Sequence, residues 1–156
     1  MVLIPHPEAL LAAELDLVVC FTVTGLPVAQ PRHSVGQGRA YLPATKAAEV
    51  HRWRQSIQLE HKAAALGQAA AMLEAEPVFV GLVFCFPRVK RIKTPARSPG
   101  HYITADIDNL AKCLLDALNG RAYDDDRRIV RLIVEKWHAA EGEPPGVAVQ
   151  IGRWRA

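Results

Sequence analysis

The apolar run from Val78 to Phe86 limits what this chain can fold into more than any other segment. The run is apolar throughout, so it lacks the alternation of polar and apolar residues that marks a strand with one face in water. Strands that read this way are buried on both faces and lie in the interior of a sheet. Pro87 cannot donate a ladder hydrogen bond and ends the run. We therefore expect a central strand at this position.

The surrounding segments predict a single α+β domain. At 156 residues the chain can bury one core without disulfides or structural metals. The predicted architecture is a mixed β-sheet with two main helices, in the rough order β-β-α-β-α-β-β, preceded by an N-terminal arm at residues 1–15. The other predicted elements are strands at Leu17–Thr24, Arg39–Leu42 and Ile129–Trp137, a helix capped by Thr45 and running to about Leu66, and a helix from Asp106 or Asp108 to about Asn119.

Six of the seven aspartates of the chain lie between Asp106 and Asp126. Carboxylates at this density repel one another unless a cation or a basic group lies between them. Oxygen ligands of this kind suit Mg²⁺. An aspartate at a helix start is often only a cap, and an exposed run of aspartates is often only a turn. Neither explanation accounts for Asp-x-Asp, a lysine one turn later and a second acid group together.

The second predicted helix places part of this group on one face. At 100° per residue, Asp108 and Lys112 lie one turn apart on the exposed stripe, while the apolar residues face the core. Asp106 precedes them and can turn into the same space, and the second acid group, Asp124 to Asp126, can return toward it ahead of the next strand. Three carboxylates and a lysine around one point suit phosphodiester hydrolysis, in which Mg²⁺ polarises the phosphoryl oxygen and lysine offsets the developing charge.

Two other uses of an acidic cluster fit the chain poorly. An EF-hand requires an oxygen ligand and a glycine where this sequence has Leu110 and Ala111. A sugar-nucleotide transferase can carry Asp-x-Asp, but the chain is short for that fold and has no glycine-rich phosphate loop.

Basic residues dominate the chain outside the acidic cluster. The net charge is +3, and it would be +9 without the six clustered aspartates. Arginine outnumbers lysine by 13 to 6, which favours bidentate phosphate contacts. This balance favours a polyanion such as nucleic acid, although simple solubility is the alternative. The predicted phosphate-contacting residues come from the loop Arg88–Gly100 after the central strand, which we expect to be mobile, from the earlier loop Gly25–Gly38, and from Arg39 directly after it. They are Arg32, Arg39, Arg88, Lys90, Arg91, Lys93 and Arg97. A merely solvated loop is the alternative.

Other features predict a cytoplasmic protein without a membrane partner or an organic cofactor. No apolar run approaches the roughly 20 residues of a membrane span. The first residues lack the basic start of a secretory signal. Cys20, Cys85 and Cys113 lie in apolar stretches without Cys-x-x-Cys spacing, so we expect buried, reduced thiols.

The segment from Asp106 to Lys136 resembles the RusA family of Holliday junction resolvases. It reads Asp-Ile-Asp-Asn-Leu-x-Lys-x-Leu-Leu-Asp-Ala-Leu-Asn-Gly, then Tyr-x-Asp-Asp-x-x-Ile-Val, and a Glu-Lys pair that ends the strand. Earlier, Gly-x-Pro-x-x-x-x-Arg-His is loosely similar to the N-terminal strand and basic loop of the family. A lysine common in that loop is replaced here by Gln30 or is absent.

The resemblance implies a RusA-like endonuclease domain at residues 16–156. It further implies a homodimeric enzyme, dependent on Mg²⁺ or alternatively Mn²⁺, that makes paired symmetric nicks in four-way branched DNA during recombination and repair. The metal ligands of the family fall on Asp106, Asp108 and Asp126, with Asp125 left as an alternative by the extra Asp124. The implied catalytic group is Asp106, Asp108, Lys112 and Asp126.

Two other functions stay open at this point. The protein could bind junctions without cutting them, although every acid and the lysine of the motif are present. It could also cut flaps or other branched DNA in preference to four-way junctions. A dimer agrees with the near two-fold symmetry of a junction, because two symmetric cuts need two related active sites.

Overall fold

The computed structural model describes residues 15–32, 34–36 and 39–154. The predicted N-terminal arm lies outside this range apart from Leu15, which begins the first strand. In chain order the described elements are β1 (Leu15–Thr24), β2 (Ser34–Gly36), β3 (Arg39–Tyr41), α1 (Ala44–Gly67), β4 (Val78–Phe86), β5 (Ser98–Pro99), α2 (Ile107–Leu118), β6 (Ile129–His138) and β7 (Gly146–Trp154). A 3₁₀ turn at Asp126–Arg128 leads into β6.

The predicted central strand is confirmed. The main sheet has the order β1-β7-β4-β6-β5, so β4 is the third of five strands. It pairs antiparallel with β7 and parallel with β6, which makes the sheet mixed. A separate antiparallel pair joins β2 to β3. Together with the two helices, this is the single-domain α+β architecture that the patterns predict.

Both helices pack on the same face of the sheet. α1 buries Val50, Trp53, Ile57 and His61, residues spaced so that they share one side of the helix. Alternate residues of β1, β4 and β7 meet them and the apolar side of α2 in one continuous core. Among the described residues, no helix combines the length and apolar character needed to cross a membrane.

The strand β6 leaves much of one edge open. Its inner edge pairs with β4 along its whole length, whereas the described part of its outer edge pairs only with Ser98–Pro99 near its end. Leu132, Val134 and Lys136 lie opposite core-facing residues of β4 and therefore point to the helix side of the sheet.

Three local expectations differ from the structure. Thr45 is not the cap of α1, because the helix begins at Ala44 after Pro43 and has no side-chain cap bond. The loop predicted between Gly25 and Gly38 contains β2, whose three residues are too few for a detectable alternation. The predicted mobile loop after β4 is ordered by Arg88, as described below.

Candidate active site

The exposed face of α2 carries the charged residues that the helical periodicity predicts. Asp108 and Lys112 are exposed one turn apart, and Asp116 follows one turn further along, half-buried. Arg54 of α1 fixes Asp116, with its Nη2 3.0 Å from Asp116 Oδ2. The same Arg54 Nη2 donates to Gln30 Oε1 at 2.8 Å. The acidic face of α2 is thereby tied to α1 and to the loop after β1.

A cleft of about 370 Å³ separates this face from the open half of β6. Its charged lining comprises Asp108, Lys112, Asp116 and Asp126, and Leu132 and Val134 contribute apolar lining from β6. Carboxylates from two distant parts of the sequence therefore share one cleft with a lysine. Leu132 and Val134 give this acidic region one apolar wall.

The contacts of the three consecutive aspartates separate their roles. Asp125 accepts hydrogen bonds from the backbone of Arg127 at 2.9 Å and from its guanidinium at 2.8 to 3.0 Å. This pairing lowers the pKa of Asp125 to about 2. Asp124 pairs with Arg128 at 3.3 Å. Asp126 is the member of the run that lines the cleft.

Asp106 lies at the N-terminal boundary of α2. Its backbone carbonyl accepts from Leu110 at 3.0 Å, while its side chain makes no capping hydrogen bond. The carboxylate instead contacts Arg32 Nη2 at 3.2 Å and Asn109 Nδ2 at 3.4 Å. Both partners of the ion pair are exposed. An exposed pair of this kind is weak and can exchange for other partners.

The carboxylates fit a hard cation whose coordination is completed by water and by the substrate. Within residues 15–32, 34–36 and 39–154, no three His, Cys, Asp or Glu side chains form a ready-made metal cluster. Mg²⁺ does not require such a cage, because it commonly binds through one or two carboxylates, water and substrate phosphates. Asp108 and Asp126, which share the cleft, provide two carboxylates of that kind.

The predicted phosphate-contacting residues have different surroundings. Lys90, Arg91 and Lys93 are exposed, and the Arg91 guanidinium lies 4.8 Å from the centre of the Tyr102 ring. Arg32 is also exposed, beside Asp106. Arg39 lies in β3, and its side chain falls outside the described part of the chain. Of the exposed cations, Arg32 lies at the start of α2, and Arg91 lies against Tyr102 in the segment that leads to it.

Two of the predicted DNA contacts already have hydrogen-bond partners within the protein. Arg88 donates to the backbone carbonyls of Ile92, Thr94, Ala96 and Ala139, and so orders the loop after β4. Arg97 forms a nearly buried bidentate pair with Glu143. These contacts occupy donors that a phosphate would need, so the DNA interface proposed below does not include Arg88 or Arg97.

A family model described as endodeoxyribonuclease RusA matches residues 24–152, which is most of the chain. The chain belongs to the RusA family. It is accordingly an endodeoxyribonuclease, a hydrolase that acts on DNA, and the family implies a junction-resolving activity. A search of curated proteins found no match.

Three residues have contacts in or around the site that the sequence did not reveal. Asp116 follows Lys112 one turn later on α2, but its partner Arg54 is 62 positions away and could not be inferred. Tyr102 lies against the guanidinium of Arg91, and the sequence carries no signal for that contact. Lys136 belongs to the Glu-Lys pair of the family pattern, and that pattern was the only signal for it.

Proposed function

We propose that this chain is a Mg²⁺-dependent endonuclease that resolves four-way DNA junctions by paired symmetric nicks, as a homodimer, in recombination and repair. The observation that carries this proposal is that Asp108 and Lys112 of α2 share one cleft with Asp126. The match to the RusA family makes phosphodiester hydrolysis the corresponding reaction.

Each cleft residue has a distinct chemical task in this proposal. Asp108 and Asp126 would hold Mg²⁺, and Asp106 would join them on release from Arg32. Bound Mg²⁺ would polarise the scissile phosphoryl group and activate water. Lys112 projects from the same face of α2 as Asp108, so its ammonium can offset negative charge that develops on the phosphate. Asp125 is held by Arg127 and orders the turn before β6.

The DNA would approach over the exposed cations of the loop after β4 and over Arg32 at the start of α2. Lys90, Arg91 and Lys93 are available for phosphate, and Arg32 could move from Asp106 to the DNA. Cations that contact phosphates position the DNA without reading its sequence. Recognition would therefore depend mainly on the shape of the branched DNA.

The homodimer and the cellular setting complete the proposal. A four-way junction is nearly two-fold symmetric, and a two-fold dimer would present two clefts for two symmetric cuts. Unpaired thiols at Cys20, Cys85 and Cys113 agree with a reducing compartment such as the cytoplasm. Sedimentation with and without junction DNA would test the dimer.

One experiment distinguishes the proposed substrate from its alternatives. The protein is incubated with end-labelled four-way junction, flap and linear duplex, each in Mg²⁺ and in EDTA. We expect paired symmetric nicks in the junction in Mg²⁺ alone. Preferred cutting of the flap would replace the junction as the substrate, and junction binding without cutting under any metal would refute the nuclease mechanism.

Matched aspartate variants test the metal ligands. Asp108→Asn and Asp126→Asn should each lower the nicking rate at least about a hundredfold, since even outer-shell partners of metal ligands cost about 10- to 100-fold. Both should keep junction binding in EDTA. Asp125→Asn is the control, because its carboxylate is held by Arg127 outside the cleft. A larger loss for Asp125→Asn than for Asp126→Asn would reverse the assignment.

A further inference from the structure

Lys136 on β6 is attached to the segment that leads into α2. Its Nζ donates to Ile103 O at 3.1 Å and to Ala105 O at 2.8 Å. The side chain is half-buried on the helix side of the sheet, opposite the core residue Phe84. A lysine ammonium that binds two backbone carbonyls acts as an anchor for the chain that carries them.

The backbone around Gly100 fastens the same segment to β6. Gly100 donates its N–H to Lys136 O at 3.0 Å, directly after the two residues of β5 pair with the end of β6. Ile103 N then donates to Gly100 O at 3.1 Å. A Cβ at Gly100 would lie 2.7 Å from Lys136 O and 2.5 Å from Ile103 Cδ1. The segment therefore passes against β6 with no room for a side chain.

These contacts fix Asp106 from one side, and α2 fixes it from the other. Lys136 holds the carbonyl of Ala105, the residue before Asp106. The carbonyl of Asp106 accepts from Leu110 at 3.0 Å. The 3₁₀ turn that contains Asp126 leads directly into β6. The strand β6 is thus attached both to the segment that carries Asp106 into α2 and to the turn that carries Asp126.

We propose that Lys136 is a positioning residue that, through the carbonyls of Ile103 and Ala105, sets where Asp106 and Asp108 lie relative to Asp126. This inference rests on the proposed function, because it assigns these acids to one divalent cation. It has a specific consequence. Loss of the anchor weakens the affinity for the metal, whereas DNA is still cut at a normal rate when the metal concentration is saturating.

Two changes loosen this anchor from opposite sides. Lys136→Met keeps an unbranched stem but removes every donor, so both carbonyls lose their partner. Gly100→Ala keeps Lys136 and its charge but pushes the segment away from β6. The matched controls are Lys62→Met, an exposed lysine on α1, and Gly67→Ala, where a Cβ meets nothing within 4 Å.

The primary measurement is the affinity of the full chain for Mn²⁺ in the absence of DNA. The electron paramagnetic resonance signal of free Mn²⁺ reports how much of the ion is bound. Lys136→Met and Gly100→Ala should each weaken binding at least about 10-fold, within the roughly 10- to 100-fold range of outer-shell partners. The Mg²⁺ concentration that gives half of the maximal nicking rate should rise by a matching factor. At saturating Mg²⁺ the nicking rate should return close to that of the wild type. Lys136→Arg, which still carries several donors, should recover much of the affinity.

The outcomes separate this inference from the proposed function. A wild-type chain that binds no Mn²⁺ and nicks no junction would refute the proposed function itself. If the wild type binds and cuts, unchanged Mn²⁺ binding in Lys136→Met and Gly100→Ala would refute positioning by Lys136. Weak binding in Lys136→Met with normal binding in Gly100→Ala would also overturn it, because the charge of Lys136 would then matter rather than its anchoring. If Lys136→Met fails to fold, the Mn²⁺ affinity of Gly100→Ala is compared with that of Gly67→Ala. Equal affinities would then refute positioning by Lys136.

Discussion

Replacement of Arg97 by methionine tests whether this residue serves the fold or the DNA. The Arg97 Nε lies 3.0 Å from both carboxylate oxygens of Glu143, and Nη2 adds a further contact. The two side chains are 15% and 13% exposed. Ala140 N also donates to Glu143 Oε2 at 2.8 Å. Methionine preserves much of the volume of the arginine stem but leaves the carboxylate without its cation.

The expected cost follows from leaving a nearly buried carboxylate unpaired. Breaking a buried ion pair on one side costs about 3–5 kcal/mol. Because Glu143 keeps the Ala140 N–H and some access to water, we expect about 3 kcal/mol, the lower end of that range. For a domain of this size, about 2–4 °C per kcal/mol corresponds to a melting temperature lowered by about 6–12 °C. Junction affinity per folded molecule should not change.

The same pair predicts how the loss depends on pH. The Arg97 guanidinium holds the pKa of Glu143 below its ordinary value of 4.5. A carboxyl with a lowered pKa in the folded state stabilises folding above its unfolded pKa, and this contribution disappears as the pH falls through the folded pKa. The difference in unfolding free energy between wild type and Arg97→Met should therefore be full at pH 7 and narrow below about pH 4.5.

Urea unfolding at pH 7 and pH 4, with junction binding in EDTA, measures these expectations. Arg91→Met is the comparison: its exposed side chain should change stability by less than about 0.5 kcal/mol, yet weaken junction binding. Arg97→Met combined with Glu143→Met should regain much of the stability, because no unpaired charge stays buried. An Arg97→Met variant as stable as the wild type but defective in junction binding would refute our reasoning.

Two further predictions concern the core and the exposed cations of the loop after β4. Tyr123 is fully buried, and its hydroxyl donates to Leu115 O at 2.9 Å. Leu115 O also accepts from Asn119 N at 3.0 Å, so Tyr123→Phe removes one of two hydrogen bonds to it and should cost about 0.5–1.5 kcal/mol in urea unfolding; a loss below the error of the measurement would show that the hydroxyl contributes nothing to stability. Replacing Lys90, Arg91 and Lys93 by glutamine should reduce the dependence of log junction affinity on log salt by about 0.9 for each phosphate that the variant no longer neutralises. An unchanged salt slope would place the DNA elsewhere.

Residues close in sequence allowed correct inferences about the elements. The apolar run of β4 predicted its central place, since burial on both faces leaves that pattern in the sequence. The helical period predicted that Asp108 and Lys112 share the exposed face of α2. The strand pair β2–β3 was missed in part, because three residues cannot establish a period.

Pairs distant in sequence could not be inferred. Seven cations were predicted to contact DNA from their charge and loop setting, but Arg97 meets Glu143 across 46 positions and becomes part of the fold. Among the three consecutive aspartates, the family pattern left Asp125 and Asp126 open. The contacts of Arg127 and Arg128 with Asp125 and Asp124 distinguish them in the structure.

The sequence by itself therefore determined the class of fold, the RusA family and the acids available for a cation. These depend on periodicity and on a local motif, in which each residue is placed by its neighbours along the chain. Only the tertiary structure decided which acid of the run lines the cleft, which arginines have partners within the protein, and that Lys136 holds the carbonyls of the segment before Asp106. Those answers depend on side chains brought together by packing, because a charge on its own does not specify its partner.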